Sequence, residues 1–382
     1  MKNFCVLLLV LFNLISCTNT KPEYNAKKID QLISQLVVDK RTVGVAYNIQ
    51  IDNVISNNNE FGFDDLEKKT IIQKNAQFRI ASMTKPFTAT AIMQLIEKGK
   101  LSLNDTIYKF FPSLANASKI TIYQLLSHTS GIPNWFEAEM PKDEPKNFPM
   151  CKNPHTFIER MGIISLFEPG TYHAYSNTGY VLLGEIIEIV SGQSYFEYLK
   201  ANILKPANMV DTEMEYVEYT SPKWVKGYGY NPELSNPFTK PEFYHMPFSA
   251  GGLRSSTSDV MKFMEALETG KLIRKETFEK MTTYAVINNG QAVYDNIFSP
   301  TGQKPQFPSN ITKMGYGLGF QIIENFGTKI ISHGGDIAGF NSVMMIIPKS
   351  NTRIVILSNT ENGILSKLRD IEKAVTDIEF QK

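Results

Sequence analysis

Strand-forming segments crowd the two ends of this 382-residue chain, and helix-forming segments fill its middle. Near the N-terminus, Val43 to Ile51 has the β-branched and apolar content of a strand. Near the C-terminus, Tyr316 to Ile323, Thr328 to Ser332, Phe340 to Ile347 and Arg353 to Leu357 read as successive strands joined by short turns. Between these ends the pattern predicts helices over Thr121 to Leu126, Tyr180 to Ser191 (stopped by Gly192) and Tyr195 to Ile203. Ser256-Thr257-Ser258-Asp259 has the form of a capping box opening a helix through Leu267. An amphipathic helix over Ala26 to Val38, with Ile29, Leu32, Ile33 and Leu36 on one side, precedes the first strand. A last helix runs from about Gly363 to Ile378, and Asn57-Asn58-Asn59 reads as a turn. This order predicts an α/β (α+β) fold: an antiparallel sheet flanked by N- and C-terminal helices, with a mostly helical second domain inserted between its halves. The α/β part takes residues 25–80 and 250–380, the helical part residues 81–249, and together they form one unit over 25–380. A site is expected in the cleft between the two parts.

The stretch Ser82-Met83-Thr84-Lys85 supplies a candidate for that site. On a helix, positions i and i+3 share a face, so the Lys85 amine can stand beside the Ser82 hydroxyl. Phe87, Ala91, Ile92, Leu95 and Ile96 repeat at helical spacing after it, and Gly99 supplies a stop. The serine would sit at a helix N-terminus, where backbone N–H groups favour developing negative charge. A serine is a weak nucleophile by itself and needs such a partner. S-x-x-K occurs once, where chance alone would give it on the order of twice, so its companions decide.

Two further elements join it. Tyr175-Ser176-Asn177 lies in a loop just before a helix. A tyrosine near an ammonium has its phenolate favoured, and it could take the Ser82 proton and return it to a leaving group. Asn177 could hydrogen-bond an acyl or amide group of a substrate. His333-Gly334-Gly335 ends the strand Lys329 to Ser332. Its glycines let a ligand approach the backbone closely, and the Asp336 amide could donate the second oxyanion hydrogen bond beside that of Ser82. The rival Y-x-N at Tyr294-Asp295-Asn296 lies in an unremarkable polar loop.

Taken in this order and spacing, S-x-x-K, Y-x-N and H-x-G resemble the serine β-lactamase and penicillin-binding-protein superfamily. Leu125 to Pro133, Glu168-Pro169-Gly170, Ala250-Gly251-Gly252-Leu253 and Gly315 to Gly319 resemble segments of its class C-like branch. The resemblance implies a β-lactamase/transpeptidase-like fold and an acyl-enzyme mechanism. Ser82 is then the nucleophile, Lys85 its charge and proton partner, Tyr175 the general base and Asn177 a substrate-positioning group. The third motif departs from authentic class C lactamases, which have K-T-G there. Lysine would hold a substrate carboxylate, whereas histidine is mostly neutral near pH 7. Lys313-Met314-Gly315 precedes the wrong strand and does not restore it. The substrate class stays open among an ester, a D-amino-acid amide and a β-lactam. A D-alanyl-D-alanine carboxypeptidase, a true class C lactamase and a non-catalytic peptidoglycan- or partner-binding protein are the alternatives.

The N-terminus carries an address. Met1-Lys2 is a basic start, Phe4 to Ile15 is an apolar core too short to span a bilayer, and Leu14-Ile15-Ser16-Cys17 resembles a bacterial lipobox. That resemblance implies a signal peptide over residues 1–17, lipidation of Cys17, a tether over 18–24 and anchoring to a membrane, facing the periplasm or exterior. With Cys5 removed and Cys17 acylated, Cys151 has no partner and no disulfide is expected. Lys plus Arg number 39 and Asp plus Glu 38, without a basic block, so no nucleic-acid footprint exists. His128, His155, His173 and His245 lack metal-ligand spacing, and neither metal nor cofactor is expected. Gly315 to Gly319 lacks the spacing of a nucleotide loop. His128 is expected to order the Ser127 to Gly131 loop. Trp135 and Phe136 could wall the pocket, and the loop over Pro141 to Pro154 could set its width. A monomer acting on a small-molecule or peptidoglycan-derived substrate is expected.

Overall fold

The computed structural model describes residues 26–53, 55–134, 165–215, 221–234, 236–240, 247–295, 311–325, 327–364 and 370–371. In chain order, α1 (Ala26–Val38) leads into β1 (Gly44–Ile51), β2 (Ile55–Asp65), β3 (Thr70–Ile71) and β4 (Phe78–Arg79). A 3-10 turn (Ala81–Met83) then opens α2 (Thr84–Glu97), and α3 (Ile122–Leu126), α4 (Asn177–Ser191) and α5 (Tyr195–Leu199) follow. Short strands β5 (Glu213–Met214), β6 (Gly229–Tyr230) and β7 (Phe238–Thr239) precede α6 (Phe248–Gly251), β8 (Leu253–Ser255), α7 (Thr257–Glu268) and α8 (Lys275–Met281). The chain closes through β9 (Ile311–Tyr316), β10 (Gln321–Asn325), β11 (Thr328–Ile337), β12 (Phe340–Ile347) and β13 (Thr352–Ser358).

The sheet is assembled from both ends of the chain. Its order is β3-β2-β1-β13-β12-β11-β10-β9, with every neighbouring pair antiparallel. Side chains alternate between two buried faces, as the two-residue period of a strand requires. Val45, Tyr47, Ile49, Met345, Ile354 and Ile356 pack with Ile29 and Ile33 of α1 and with Ile364 and Ile371 near the C-terminus. Ala46, Met344, Ile346, Val355 and Leu357 face the larger core around α2, α4 and α7. Helix α2 is buried on all sides from Thr84 to Leu95, which makes it a core helix rather than an amphipathic cover.

Three expectations change. The segment Tyr316 to Ile323 is not one strand: β9 ends at Tyr316 and β10 starts at Gln321, with a turn in which the Gly317 amide donates to the Phe320 carbonyl (2.8 Å). Gly319 sits there at φ +91°, and a Cβ on it would lie 2.4 Å from Ala89 Cβ, so only glycine lets the turn meet α2. Asn57 to Asn59 are not a turn but lie in β2, where Asn59 opposes Tyr47 and donates to Asp30 Oδ1 (2.9 Å). The hairpin bends instead at Asp52 and Asn53, both in the left-handed region (φ +53° and +56°), as a turn that matches strand twist demands. At Ser256 only half of a capping box forms: Ser256 accepts from the Asp259 amide, while the Asp259 carboxylate turns to the Asp211 amide and Thr212 hydroxyl. Of the helix expected over Gly363 to Ile378, Asp370 and Ile371 are helical and most of the remainder lies outside the described residues. Among the described residues no helix is long and apolar enough to cross a membrane.

Candidate active site

The turn that carries Ser82 is stapled from two sides. The Ile80 amide donates to the Leu253 carbonyl of β8 (3.0 Å), and the Ile80 carbonyl accepts from Ser342 Oγ of β12 (2.9 Å). Thr84 Oγ1 accepts from the Leu253 amide (3.2 Å). Strand β11 passes so close that a Cβ on Gly335 would lie 2.2 Å from the Ile80 carbonyl oxygen, so Gly335 is the residue that permits the contact. At Gly334 the same construction meets nothing closer than 3.8 Å.

Lys85 follows one helical turn after Ser82 and is fully buried. Its Nζ donates to Ser82 Oγ (3.0 Å), Asn177 Oδ1 (2.6 Å) and the Ala250 carbonyl (2.8 Å). These are three acceptors for three possible N–H bonds, and none is a carboxylate. Burial alone holds its pKa well below the lysine range. Tyr175 closes the group: Lys85 Nζ stands 4.8 Å from its ring centroid, and the phenol is near enough to Ser82 for that hydroxyl to favour its anion. Burial pushes the Tyr175 pKa up, and the Ser82 hydrogen bond only partly offsets this. The phenolate expected from the neighbouring ammonium is therefore not the favoured form. Burial drives both groups toward phenol and amine, which carry the same net charge as phenolate and ammonium. The pair shares one proton, and Ser82 touches both members.

Asn177 begins α4, and its amide is held at both ends. Its oxygen takes the Lys85 bond, while Nδ2 donates to Asn134 Oδ1 (3.1 Å). Asn134 lies one residue beyond the Leu125 to Pro133 stretch and was not singled out by sequence. A polar residue after Gly-Ile-Pro was its only signal.

His333 is buried on β11 and is committed on both nitrogens. Nδ1 lies 2.7 Å from the Gly334 carbonyl, which can only accept, so Nδ1 carries the proton. Nε2 then accepts from the Tyr316 hydroxyl at 2.9 Å. Burial first, then the charge of Lys85, lowers its pKa to about 3, so the ring is neutral in ordinary buffers. In the sequence Tyr316 stands at the start of an expected strand and within Gly315 to Gly319, with nothing to mark it as the partner of His333. Asp336 lies at the surface. Strand alternation sends its side chain to the face opposite the one where Gly335 meets Ile80. Partial loss of hydration, then Glu361, pushes its carboxyl up to about 6. Past Ser332, β11 has no β10 partner, so among the described residues no strand covers that edge beside the Ser82 turn.

His128 orders more than its own loop: its Nδ1 accepts from the Ser176 amide (3.1 Å). His173 stacks edge-on to His128 (6.0 Å between centroids) and has a pKa lowered to about 4 by burial. Lys313 of the rival K-x-G sits on edge strand β9 and pairs with Glu324 (3.3 Å), away from Ser82. Tyr294 of the rival Y-x-N stacks on Tyr284, and Asn296 lies outside the described residues. So do Cys17, Cys151, Trp135, Phe136 and the loop over 141–154. Among the described residues no group of His, Cys, Asp or Glu has the geometry to hold a metal.

Comparison with known proteins places the chain among relatives. A family profile described as Beta-lactamase matches residues 29–375. A penicillin-binding protein of Bacillus subtilis (strain 168) is 30% identical over 321 residues, which cover 79% of this chain and 64% of that protein. The chain thus spans less than two thirds of the length of this relative. The crystal structure of a penicillin binding protein from Bacillus halodurans superposes with a TM-score of 0.73 at 26% identity, covering 88% of this chain and 97% of that one. A D-amino acid amidase from Ochrobactrum anthropi SV3 superposes with a TM-score of 0.70 at 25% identity, covering 92% and 98%.

Proposed function

The chain belongs to the β-lactamase family of serine hydrolases, and from that premise we propose that it cleaves a carboxylic ester or a D-amino-acid amide through an acyl-enzyme on Ser82. The observation that carries this reading is the cluster in which Ser82 Oγ accepts from Lys85 Nζ (3.0 Å), with the Tyr175 ring centroid 4.8 Å from that same Nζ. Ser82 Oγ attacks the acyl carbon while its proton passes to the Tyr175–Lys85 pair. The oxyanion rests on the Ser82 and Asp336 amides. Collapse breaks the bond to the leaving group, which takes the proton from the pair. Water, deprotonated by the same pair, then releases the acid. Asn177 holds Lys85 in line for both half-reactions.

His333 favours ester and amide substrates over β-lactams. With Nδ1 spent on Gly334 and Nε2 on Tyr316, it has no N–H to offer a substrate carboxylate. Incubation of the full chain, in detergent, with an activated ester and with a penicillin tests this by intact mass. The expected result is turnover of the ester, an unchanged protein mass and unconsumed penicillin. A stable penicillin adduct on Ser82 would replace the reading with a penicillin-binding peptidase, and consumption without an adduct would replace it with a lactamase.

The enzyme would work outside the cytoplasm on a lipid tether. The reading rests on Leu14-Ile15-Ser16-Cys17 and the apolar run before it. Cys17→Ser should move the protein from the membrane pellet to the soluble fraction; unchanged pelleting would remove the anchor from this account.

A further inference from the structure

We propose that His128 is the positioning residue for Tyr175, gripping the chain on both sides of it. The proposal rests on the reading of Tyr175 as the base. Tyr175 stands on a loop, and a loop residue needs outside restraint to hold a phenol within hydrogen-bonding distance of a nucleophile. His128 supplies two restraints from one residue. Its backbone carbonyl accepts from the Ala174 amide at 2.9 Å, and its ring Nδ1 accepts from the Ser176 amide at 3.1 Å. The two bonds bracket Tyr175 at its preceding and following peptides. The imidazole also packs against the Tyr175 ring, 4.3 Å between centroids.

The backbone of His128 is bent to make this possible. It lies in the left-handed region at φ +58°, which carries a steric cost for a residue with a Cβ. That conformation brings its carbonyl and its ring to the same segment. The ring is wholly buried, and Nε2 has no hydrogen-bond partner among the described residues. A side chain there only to fill space would be a phenylalanine; the nitrogen that matters is the one facing Ser176. Burial, with His173, Lys85 and His333 nearby, keeps the ring unprotonated, and so keeps Nδ1 an acceptor.

The test is a double-mutant cycle read as the rate of acylation by p-nitrophenyl acetate, with thermal melting as the control for folding. Tyr175→Phe alone should slow acylation at least about a hundredfold. His128→Phe keeps the ring shape and loses the acceptor; it should slow acylation about tenfold to a hundredfold with KM little changed, as expected for a misplaced catalytic group. His128→Asn tolerates the left-handed backbone and sets Oδ1 where Nδ1 stood, so it should retain most of the rate. In the Tyr175→Phe background, His128→Phe should cost less than about twofold, because there is no phenol left to misplace. A full loss in that background, or an Asn variant as slow as the Phe variant, overturns the proposal. If His128→Phe fails to fold, His128→Ala takes its place in the same cycle. A silent Tyr175→Phe overturns the base assignment itself, and with it the catalytic meaning of the grip. An intact Tyr175 effect with an inert His128→Phe overturns the grip alone.

Discussion

Ser82→Ala is expected to abolish labelling by a fluorophosphonate and all turnover of activated esters, while the protein melts within a few degrees of the parent. The chemical loss is complete because the acyl-enzyme has no other oxygen to form on. Tyr175 is a phenol pushed away from its anion by burial, and Lys85 offers a nitrogen held by Asn177 and the Ala250 carbonyl. The structural cost is small. The turn is held by the backbone and side-chain bonds of Ile80 and Thr84, none of which involves the Ser82 hydroxyl. Persistent fluorophosphonate labelling in the variant would end the assignment of Ser82 as nucleophile.

Lys85→Met should be almost as damaging to chemistry, and its effect on stability should be modest. Methionine matches the length and the apolar stem of lysine, so the buried channel beside α2 stays filled. The amine that shares a proton with Tyr175 is gone, and acylation should fall by about a thousandfold, within the range for a positioned proton-transfer group. Two acceptors, Asn177 Oδ1 and the Ala250 carbonyl, lose their partner, at about 1–3 kcal/mol each. Against this, a cationic group is no longer taken out of water, so the losses partly cancel. Stopped-flow acylation and a melting curve measure the two halves. An acylation rate within tenfold of the parent would exclude Lys85 from the proton path.

How much of this could be read in the sequence depended on distance along the chain. Ser82 and Lys85 are one helical turn apart, so their meeting follows from helix geometry. The amphipathic α1 and the apolar, β-branched runs of β12 and β13, buried along their whole length, are also local patterns, and each is found where the sequence puts it. The resemblance carried Tyr175 and His333 to the same site, because motif order survives where contact geometry is invisible. The Ala250 carbonyl could not be found, since a backbone oxygen has no residue signature. Asn134 and Tyr316 bond to other side chains, and nothing in their spacing points to those partners. The Asn57 to Asn59 run misled because three asparagines favour turns in isolation. Pairing with β1 and the Asp30 bond outweigh that preference. The expected Tyr175 phenolate failed for a related reason: charge proximity was legible, but the depth of burial of both partners was not.

The central strand pairing joins the first and last strands, with Val45 opposite Ser358, about 300 residues apart. During synthesis, Ser82 and Lys85 emerge early, but β11, β12 and β13 come last. The wall against which Gly335 and Ser342 set the Ser82 turn does not exist until nearly the whole chain is out. Topology therefore completes the Ser82 turn only at the end of the chain. The same long closure makes its folding slow and leaves the unfinished chain in need of protection.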